Sequence, residues 1–222
     1  MDISFILMHI STFLTCILLI LVLRIKKKKA LHYSAFGLVL VVFLWCAFAL
    51  AYLYASLYYS YRGMLFAKLL SSVYQFVAVT LFIFGFNYAY QESKWRVKVY
   101  GLLLIPIIGT ALIWTNEYHH FAFKEYSDVV SDSVLGPYMM VFPYFAYVLV
   151  ILGLFFLVKC TIKNSGFFSR QSLLIIIGLI FPLVYDILLF LRIISLPLYY
   201  EAIAFSIAII FVLISIFRFG LF

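Results

Sequence analysis

The segment ISFILMHISTFLTCILLILVLRIKKKK, residues 3–29, joins a long, mostly apolar run to a cluster of five basic side chains. A helix over residues 3–23 is long enough to cross about 30 Å of hydrocarbon. The basic cluster follows the apolar run instead of preceding it, so the pattern differs from that of a cleaved signal peptide. We therefore expect this segment to remain in the protein as its first membrane span.

The rest of the chain repeats this pattern of apolar runs and short charged segments. Apolar residues make up 68% of the sequence, charged residues 11%, and the mean hydropathy is +1.19, a composition foreign to soluble domains. The period-2 alternation of membrane β-strands is absent. We predict an all-α membrane protein, a seven-transmembrane helix bundle that fills residues 1–222 as one domain. Its predicted spans are about 3–23, 35–57, 66–90, 99–115, 138–158, 172–191 and 201–217.

Lysine and arginine residues fall mostly on one side of these spans. Twelve of the sixteen follow spans one, three, five or seven, and the other four lie near the opposite side. The positive-inside rule therefore predicts an N-terminus outside the cell and a C-terminus in the cytoplasm. Because this rule and contact with anionic lipid explain the run RIKKKK, the formal charge of +8 does not indicate a nucleic-acid partner.

Motifs for catalysis and metal binding are missing from the sequence. It has no phosphate-binding loop, no GxSxG or HExxH motif and no cysteine spacing typical of zinc sites. The last predicted span contains no lysine, which excludes a retinal Schiff base. We expect no cofactor, no bound metal and no enzymatic activity in this segment.

A few polar side chains lie within the predicted spans, where such groups usually face the interior of a bundle. Asp186 lies in the outer half of span six, one turn after Pro182, and Pro143 interrupts span five. Each proline frees a backbone carbonyl and permits a kink that opens space between helices. Four further polar residues share one face in the outer half of span three: Lys68, Ser71, Ser72 and Gln75.

These groups predict a pocket that is reached from outside the cell. Met140, Tyr144 and Tyr147 would add a wall from span five. The candidate ligand-binding residues in the spans are Ser71, Gln75, Tyr144, Tyr147 and Asp186. Two structural alternatives stay open: Ser71, Ser72 and Gln75 as hydrogen-bond partners of neighbouring helices, and Asp186 as the ion-pair partner of Lys68 or Arg192.

The longest polar stretch, residues 116–137, follows span four and begins within the sequence WTNEYHHFAF, residues 114–123. A connection of this length is typical of a lid or a ligand surface. The adjacent histidines His119 and His120 supply too few ligands for a metal site. We expect the connection to fold back onto the bundle, with Asn116 capping backbone groups and His119 hydrogen-bonded.

Four motifs follow one another along the chain, and together they resemble those of a known family. They are Trp45 within LWCAFAL, the Thr-Asn-x-x-His group of Thr115, Asn116 and His119, the pair Arg170 and Gln171 with Pro182 midway through span six, and the exit of Arg218, Leu221 and Phe222. The chain resembles the seven-transmembrane N-terminal sensor region of bacterial histidine kinases, which also occurs on diguanylate cyclases. Asn116 and His119 match the family's signature pair and are two further candidate ligand-binding residues.

The resemblance implies a receptor module in a bacterial plasma membrane. It would bind an extracellular or membrane-borne signal in the outer half of the bundle and relay it through span seven to Arg218, Leu221 and Phe222. The implied partners are membrane lipids, a small-molecule, lipid-like or peptide signal, a second copy of the chain, and the cytoplasmic output domain or response regulator of a parent protein. Phosphotransfer would belong to that output domain.

Two departures from the family pattern stand out. The chain ends at Phe222, where the family continues into a linker, and Asp186 occupies a position where a neutral amide is more common. The residues also leave two other functions open. One is a transporter or channel subunit in which Gln75 and Asp186 line a path, although an inverted repeat is not detectable. The other is a structural protein without a ligand.

Overall fold

The computed structural model describes the chain except for residues 1–2, 26–28, 59–62, 91–94, 126–133, 164–166, 195–200 and 220–222. The described part is almost entirely helical. Its elements in chain order are α1 (Ile3–Leu23), α2 (Ala30–Tyr58), α3 (Gly63–Ala89), α4 (Arg96–Tyr100), a 3₁₀ turn (Gly101–Leu103), α5 (Leu104–Trp114), α6 (Asn116–His119), β1 (Phe123–Glu125), β2 (Val134–Leu135), α7 (Pro137–Lys163), α8 (Phe167–Phe190) and α9 (Glu201–Phe219).

Six stretches of the described residues are helical, long and apolar enough to cross a membrane, judged by length and composition. The fourth of these, Val97–Trp114, combines α4, the 3₁₀ turn and α5. The last helix, α9, carries a shorter apolar stretch at Ile203–Ser215. The predicted all-α membrane architecture is therefore confirmed, and each of the seven predicted spans coincides with helix.

Several helices extend past the predicted spans. Helix α2 begins at Ala30, although the predicted span begins at about residue 35, and α7 continues to Lys163, although that span ends at about residue 158. A helix keeps its backbone hydrogen bonds beyond the hydrocarbon, and lysine side chains there can reach the headgroups. The apolar runs therefore locate the helices but underestimate the lengths of α2 and α7.

Six helices form a closed ring, and one span lies outside it. Going round the ring, α1 contacts α2, α2 contacts α3, α3 contacts α7, α7 contacts α8, α8 contacts α9, and α9 returns to α1. Helix α5 packs against α3 from outside. Accordingly, 61% of the residues in the most apolar stretch of α3 are buried, whereas only 17% are buried in Val97–Trp114. Span four therefore serves mainly to support α3.

Glycines allow two of the ring contacts to be unusually close. At the α3–α7 crossing, a Cβ atom on Gly85 would collide with the backbone of Gly153. At the α8–α9 crossing, a Cβ on Gly178 would lie 3.0 Å from the carbonyl oxygen of Ala208. Small residues at crossings let helix backbones approach in a membrane, where apolar side chains gain little by leaving lipid.

The connection between α5 and α7 forms a small cap at one end of the bundle. It contains the single turn of α6 and an antiparallel pair in which Phe123 lies opposite Leu135. We call this end of the bundle the loop end. The opposite end, where Lys29, Lys98 and Lys159 lie, is called the basic end. The assignment of the loop end to the outside of the cell stays a prediction.

Candidate functional site

A cavity of about 110 Å³ lies on the axis of the ring and is lined by residues from all six ring helices. On α3 the lining extends from Tyr74 to Phe84, and on α8 from Ile175 to Asp186. At roughly 1.5 Å per residue, each distance corresponds to about 15 Å. Helix α5 contributes none of the described lining residues. The cavity is therefore long, narrow and parallel to the helices.

Asp186 lies at the loop end of this cavity. The hydroxyl of Tyr74 donates to its carboxylate and is 3.1 Å from both Oδ1 and Oδ2. Tyr147 also lines the cavity and interacts with the same carboxylate. Trp45 is fully buried behind this group, with its ring centroid 5.5 Å from that of Tyr74. The tryptophan of the first family motif therefore supports the residue that orients Asp186.

A second polar group lies at the basic end, about one helical turn beyond the last cavity-lining residues of α3, α8 and α9. The Tyr88 hydroxyl donates to Gln171 Oε1 at 3.2 Å, and the hydroxyls of Thr161 and Ser172 are 2.6 Å apart. The hydroxyl of Ser215 donates to the Gln171 carbonyl at 3.3 Å. These bonds tie α9 to α8 and α8 to α3 and α7. Gln171 of the third family motif is at their centre.

The polar stripe of α3 does not face the cavity. Gln75 is fully buried, and its Oε1 accepts a 2.6 Å bond from the Tyr138 hydroxyl at the start of α7. A Cβ atom on Gly109 of α5 would collide with both of these side chains, so the glycine makes room for the pair. Ser72 accepts a 3.1 Å bond from the Trp114 indole. The stripe thus joins α3 to α5 and α7. This agrees with the alternative in which these polar residues are hydrogen-bond partners of neighbouring helices.

Two expectations for the pocket are corrected by this arrangement. Ser71 and Gln75 are buried but do not line the cavity, because the residues of α3 that face the axis begin at Tyr74, about 100° round the helix from Gln75. Asp186 does not pair with Lys68, whose Nζ instead lies 2.7 Å from Glu117 Oε1. Arg192, the other suggested partner, is exposed.

The predicted wall on α7 is only partly present. Tyr147 lines the cavity, whereas Tyr144 is 62% exposed and Met140 is 51% exposed. Three residues of helix turn through about 300°, so Tyr144 lies about 60° round from Tyr147. That rotation takes Tyr144 off the cavity face. The residues of α7 that join Tyr147 at the cavity are Ala146 and Val150.

The Thr-Asn-x-x-His motif holds the cap together. Asn116 Oδ1 accepts bonds from the backbone N–H groups of Ala122 and Phe123 at 2.9 and 3.0 Å, and its Nδ2 donates to the Phe123 carbonyl at 2.8 Å. The Phe121 N–H donates to His119 Nδ1 at 3.0 Å. Asn116 therefore caps backbone groups and His119 is hydrogen-bonded, as expected. The partners of both side chains named here are backbone groups of the cap.

The backbone donor also fixes the protonation pattern of this motif. Since His119 Nδ1 accepts the Phe121 N–H, its other nitrogen carries the hydrogen in the neutral ring. Nε2 then donates to Thr115 Oγ1 at 3.0 Å, and Thr115 donates to the Ala111 carbonyl at 2.7 Å. The motif is a continuous chain of hydrogen bonds from the end of α5 into the cap.

The predicted relay residues lie at the end of α9. Arg218 belongs to the last turn of that helix, but its side chain is not among the described groups, and Leu221 and Phe222 lie outside the described residues. Several site residues were missed in the sequence, among them Tyr74 and Ser215. Each of these two lies inside an apolar span, where a single tyrosine or serine is common in a core and gives no pattern of its own.

Acidification is expected to loosen the contact between α6 and α3. The Lys68 ammonium holds the pKa of Glu117 below its ordinary value of 4.5. A carboxyl with a lowered pKa stabilises the fold above its ordinary value, and this contribution is lost as the pH falls through the folded-state pKa. Hydrogen exchange of the Tyr118 amide, followed from neutral pH to below 4.5, should show a small acid-induced loss of protection that salt reduces.

The matched variants for this experiment are Glu117→Gln and Glu125→Gln. The first should abolish the pH dependence, whereas the second removes another exposed carboxylate of the cap and should retain it. An unchanged pH profile in Glu117→Gln would show that the ion pair does not hold α6.

Comparison with known proteins identifies the family. The sequence model of the N-terminal 7TM region of histidine kinase matches residues 7–222. No curated protein and no solved structure matches the chain. The match covers nearly the whole sequence and all of the long helices except the first four residues of α1, and it agrees with the resemblance carried by the four motifs. The chain therefore belongs to the family of N-terminal seven-transmembrane regions of histidine kinases and is a multi-pass membrane sensor region.

Proposed function

We propose that this chain is the signal-binding region of a bacterial sensor histidine kinase and that its signal binds in the axial cavity. The module would lie in the plasma membrane with its loop end outside. It would perform no chemistry itself, and phosphotransfer would belong to the cytoplasmic output domain of the parent protein. A second copy of the chain and a response regulator are the further partners in this proposal.

The observation that carries the proposal is the position of α9 in the cavity wall. Phe205, Ala208, Ile209 and Val212 of this last helix line the cavity. A ligand can shift a protein only between states for which it has different affinities. Since α9 contacts the cavity directly, two positions of α9 would give cavities of different shape, and a ligand would favour one of them.

The contacts around α9 limit how it can move. Ala208 approaches Gly178 of α8 closely, so sideways movement towards α8 is blocked at the middle of the helix. Ser215 bonds to the backbone of α8 at the basic end. Rotation or tilt about the Gly178 contact would therefore change the Ser215 bond, and this change is the proposed output towards Arg218.

The transporter alternative has less support. Gln75, one of its two path residues, pairs with Tyr138 away from the cavity. Between Asp186 and the basic end the lining is almost wholly apolar, which does not favour the passage of ions or polar solutes.

Filling the cavity is expected to remove a bound molecule from the purified protein. Native mass spectrometry of the chain in lipid nanodiscs should detect a retained small molecule in the wild type. Ala146→Leu adds three carbons to the cavity wall and should reduce the retained fraction at least about tenfold, equivalent to about 1.4 kcal/mol. Ala111→Leu, on the exposed side of α5, is the matched control and should leave it unchanged.

Equal retention by Ala146→Leu and the wild type would contradict binding in the cavity. The relay is tested separately by electron–electron distance measurements between spin labels at Ile162 and Ile214, which are both exposed. Cys16, Cys46 and Cys160 are first replaced by alanine. A distance distribution that is the same in the ligand-retaining and the cavity-filled protein would contradict the role of α9.

A further inference from the structure

The two ends of the axial cavity differ in chemistry. Asp186 is the only charged side chain among its described lining residues, and the hydroxyls beside it belong to Tyr74 and Tyr147. The one other polar lining residue is Thr15, whose hydroxyl donates to carbonyls of its own helix at Ser11 and Thr12. The cavity therefore offers a ligand one polar end and a long apolar remainder.

Asp186 has no cationic partner within the part of the chain that the structure describes. No described lysine, arginine or histidine lines the cavity. Lys68 is paired with Glu117, and the histidine of α1, His9, bonds to Tyr54. A carboxylate at membrane depth usually pairs with another group because the hydrocarbon does not solvate it. Among the described residues, no positive charge therefore balances the Asp186 carboxylate.

The geometry around Asp186 leaves part of its acceptor capacity for a ligand. Tyr74 has one hydroxyl proton, which is shared by the two carboxylate oxygens at equal distances of 3.1 Å. An ionised carboxylate has about four lone-pair sites. Tyr74 and Tyr147 together donate two protons at most, and Asp186 itself lines the cavity. A ligand in the cavity can supply the remaining donors.

The dimensions restrict the apolar part of the ligand. A volume of about 110 Å³ is smaller than the roughly 150 Å³ of a cavity that holds one benzene molecule, so the apolar part of the ligand has about six carbons at most. The length of about 15 Å favours an unbranched chain over a ring. A two-chain lipid or a fused ring system would be too wide. The required ligand is thus a single apolar chain with hydrogen-bond donors at one end.

We propose that the cavity binds a single-chain cationic amphiphile, with an ammonium group at Asp186 and an alkyl chain that extends towards the basic end. This inference rests on the proposed function, since it assigns a chemical class to the ligand of the same cavity. An ammonium group supplies three donors and a compact positive charge. It therefore satisfies the free acceptor sites and neutralises the carboxylate at the same time.

The test is a head-group series on one chain length. Hexylamine, hexanol and hexanoate are added at equal concentration to the wild-type protein in nanodiscs, and the bound fraction of each is measured by native mass spectrometry. We expect the bound fraction of hexylamine to exceed that of hexanoate by about tenfold or more, since hydrogen bonds to charged groups have effects of this size. Because this comparison uses the wild type alone, it holds even if a variant fails to fold.

Two variants locate the binding. Asp186→Asn keeps the shape of the side chain and should lower hexylamine binding about tenfold or more. Glu125→Gln removes an exposed carboxylate of the cap and should leave binding unchanged, which excludes attraction to surface charge. Ala146→Leu should abolish the binding of every probe that enters the cavity.

Two results would overturn the inference, and they have different meanings. If hexanol or hexanoate binds as well as hexylamine, and Ala146→Leu still abolishes binding, the ammonium class is wrong while the cavity remains the ligand site. If Ala146→Leu changes the binding of no probe, the cavity is not the ligand site, and the proposed function fails with the inference.

Discussion

Gly85→Ala is expected to lower the stability of the bundle by about 3 kcal/mol or more, within the range of severe core mutations. The new methyl group would overlap the backbone of Gly153, with the carbonyl carbon 3.0 Å and the Cα 3.1 Å away. A flexible side chain could turn aside, but a helix backbone cannot. Helices α3 and α7 would have to separate at the point where the ring is tightest. Unfolding in mixed micelles of increasing SDS content measures the loss.

Gly37→Ala is the matched control, since it makes the same chemical change within a long helix. No heavy atom lies within 4 Å of the Cβ position at Gly37. Alanine is the better helix former by about 1 kcal/mol, so this variant should be neutral or slightly more stable. If the two variants unfold at the same SDS content, the close α3–α7 crossing does not contribute to stability.

Asn116→Ala is expected to release the cap from the bundle. Three hydrogen bonds from this side chain to Ala122 and Phe123 would be lost, at about 1 kcal/mol each. Hydrogen exchange at the amides of Ala122 and Phe123 should then accelerate by about a hundredfold, the factor that corresponds to 2.7 kcal/mol or slightly more. Exchange within α3 should not change, because the cap contacts the bundle at one end only.

Asn116→Asp separates the two functions of this side chain. It keeps the oxygen that accepts from Ala122 and Phe123 and loses the nitrogen that donates to the Phe123 carbonyl. Most of the amide protection should therefore survive. If Asn116→Ala exchanges at the wild-type rate, the cap is held by other contacts and the motif has a different role.

The fold could be predicted from the sequence because apolar run length is a local property. Residues 3–23 and the other spans each meet the hydrocarbon requirement without reference to their neighbours. The order of helices round the ring is not local. It depends on positions such as Gly85 and Gly153, which are 68 residues apart in the numbering and meet only in the folded bundle.

The candidate site was predicted in part, for a related reason. Helical periodicity correctly placed Gln75 with Ser71 and Lys68 on one face, but it could not say which neighbour that face meets. Gln75 faces away from the axis because it bonds to Tyr138 and occupies the space that Gly109 leaves open. Asp186 was recognised because a carboxylate is rare at this depth. Its tyrosine partner, Tyr74, resembles any aromatic core residue in sequence.

The signature motif also shows how a pattern can be recognised without its role being known. Asn116 and His119 were candidates for ligand contact, and the structure directs them to the backbone of the cap instead. Neither residue is among the described residues that line the axial cavity, and both belong to the cap at the loop end. Ligand contact by these residues stays an untested prediction.

The closed ring has a consequence for how the protein can be divided. Each helix of the ring separates the cavity from the surrounding lipid, so the cavity would open if any one of them moved away. Helix α9 has this role and is also the last helix of the described chain. Under the proposed function, the parts that bind the signal and relay it would therefore not be separate in this molecule. A substitution that holds α9 permanently displaced would at once switch the output and admit lipid tails, so constitutive signalling and loss of ligand selectivity should arise together.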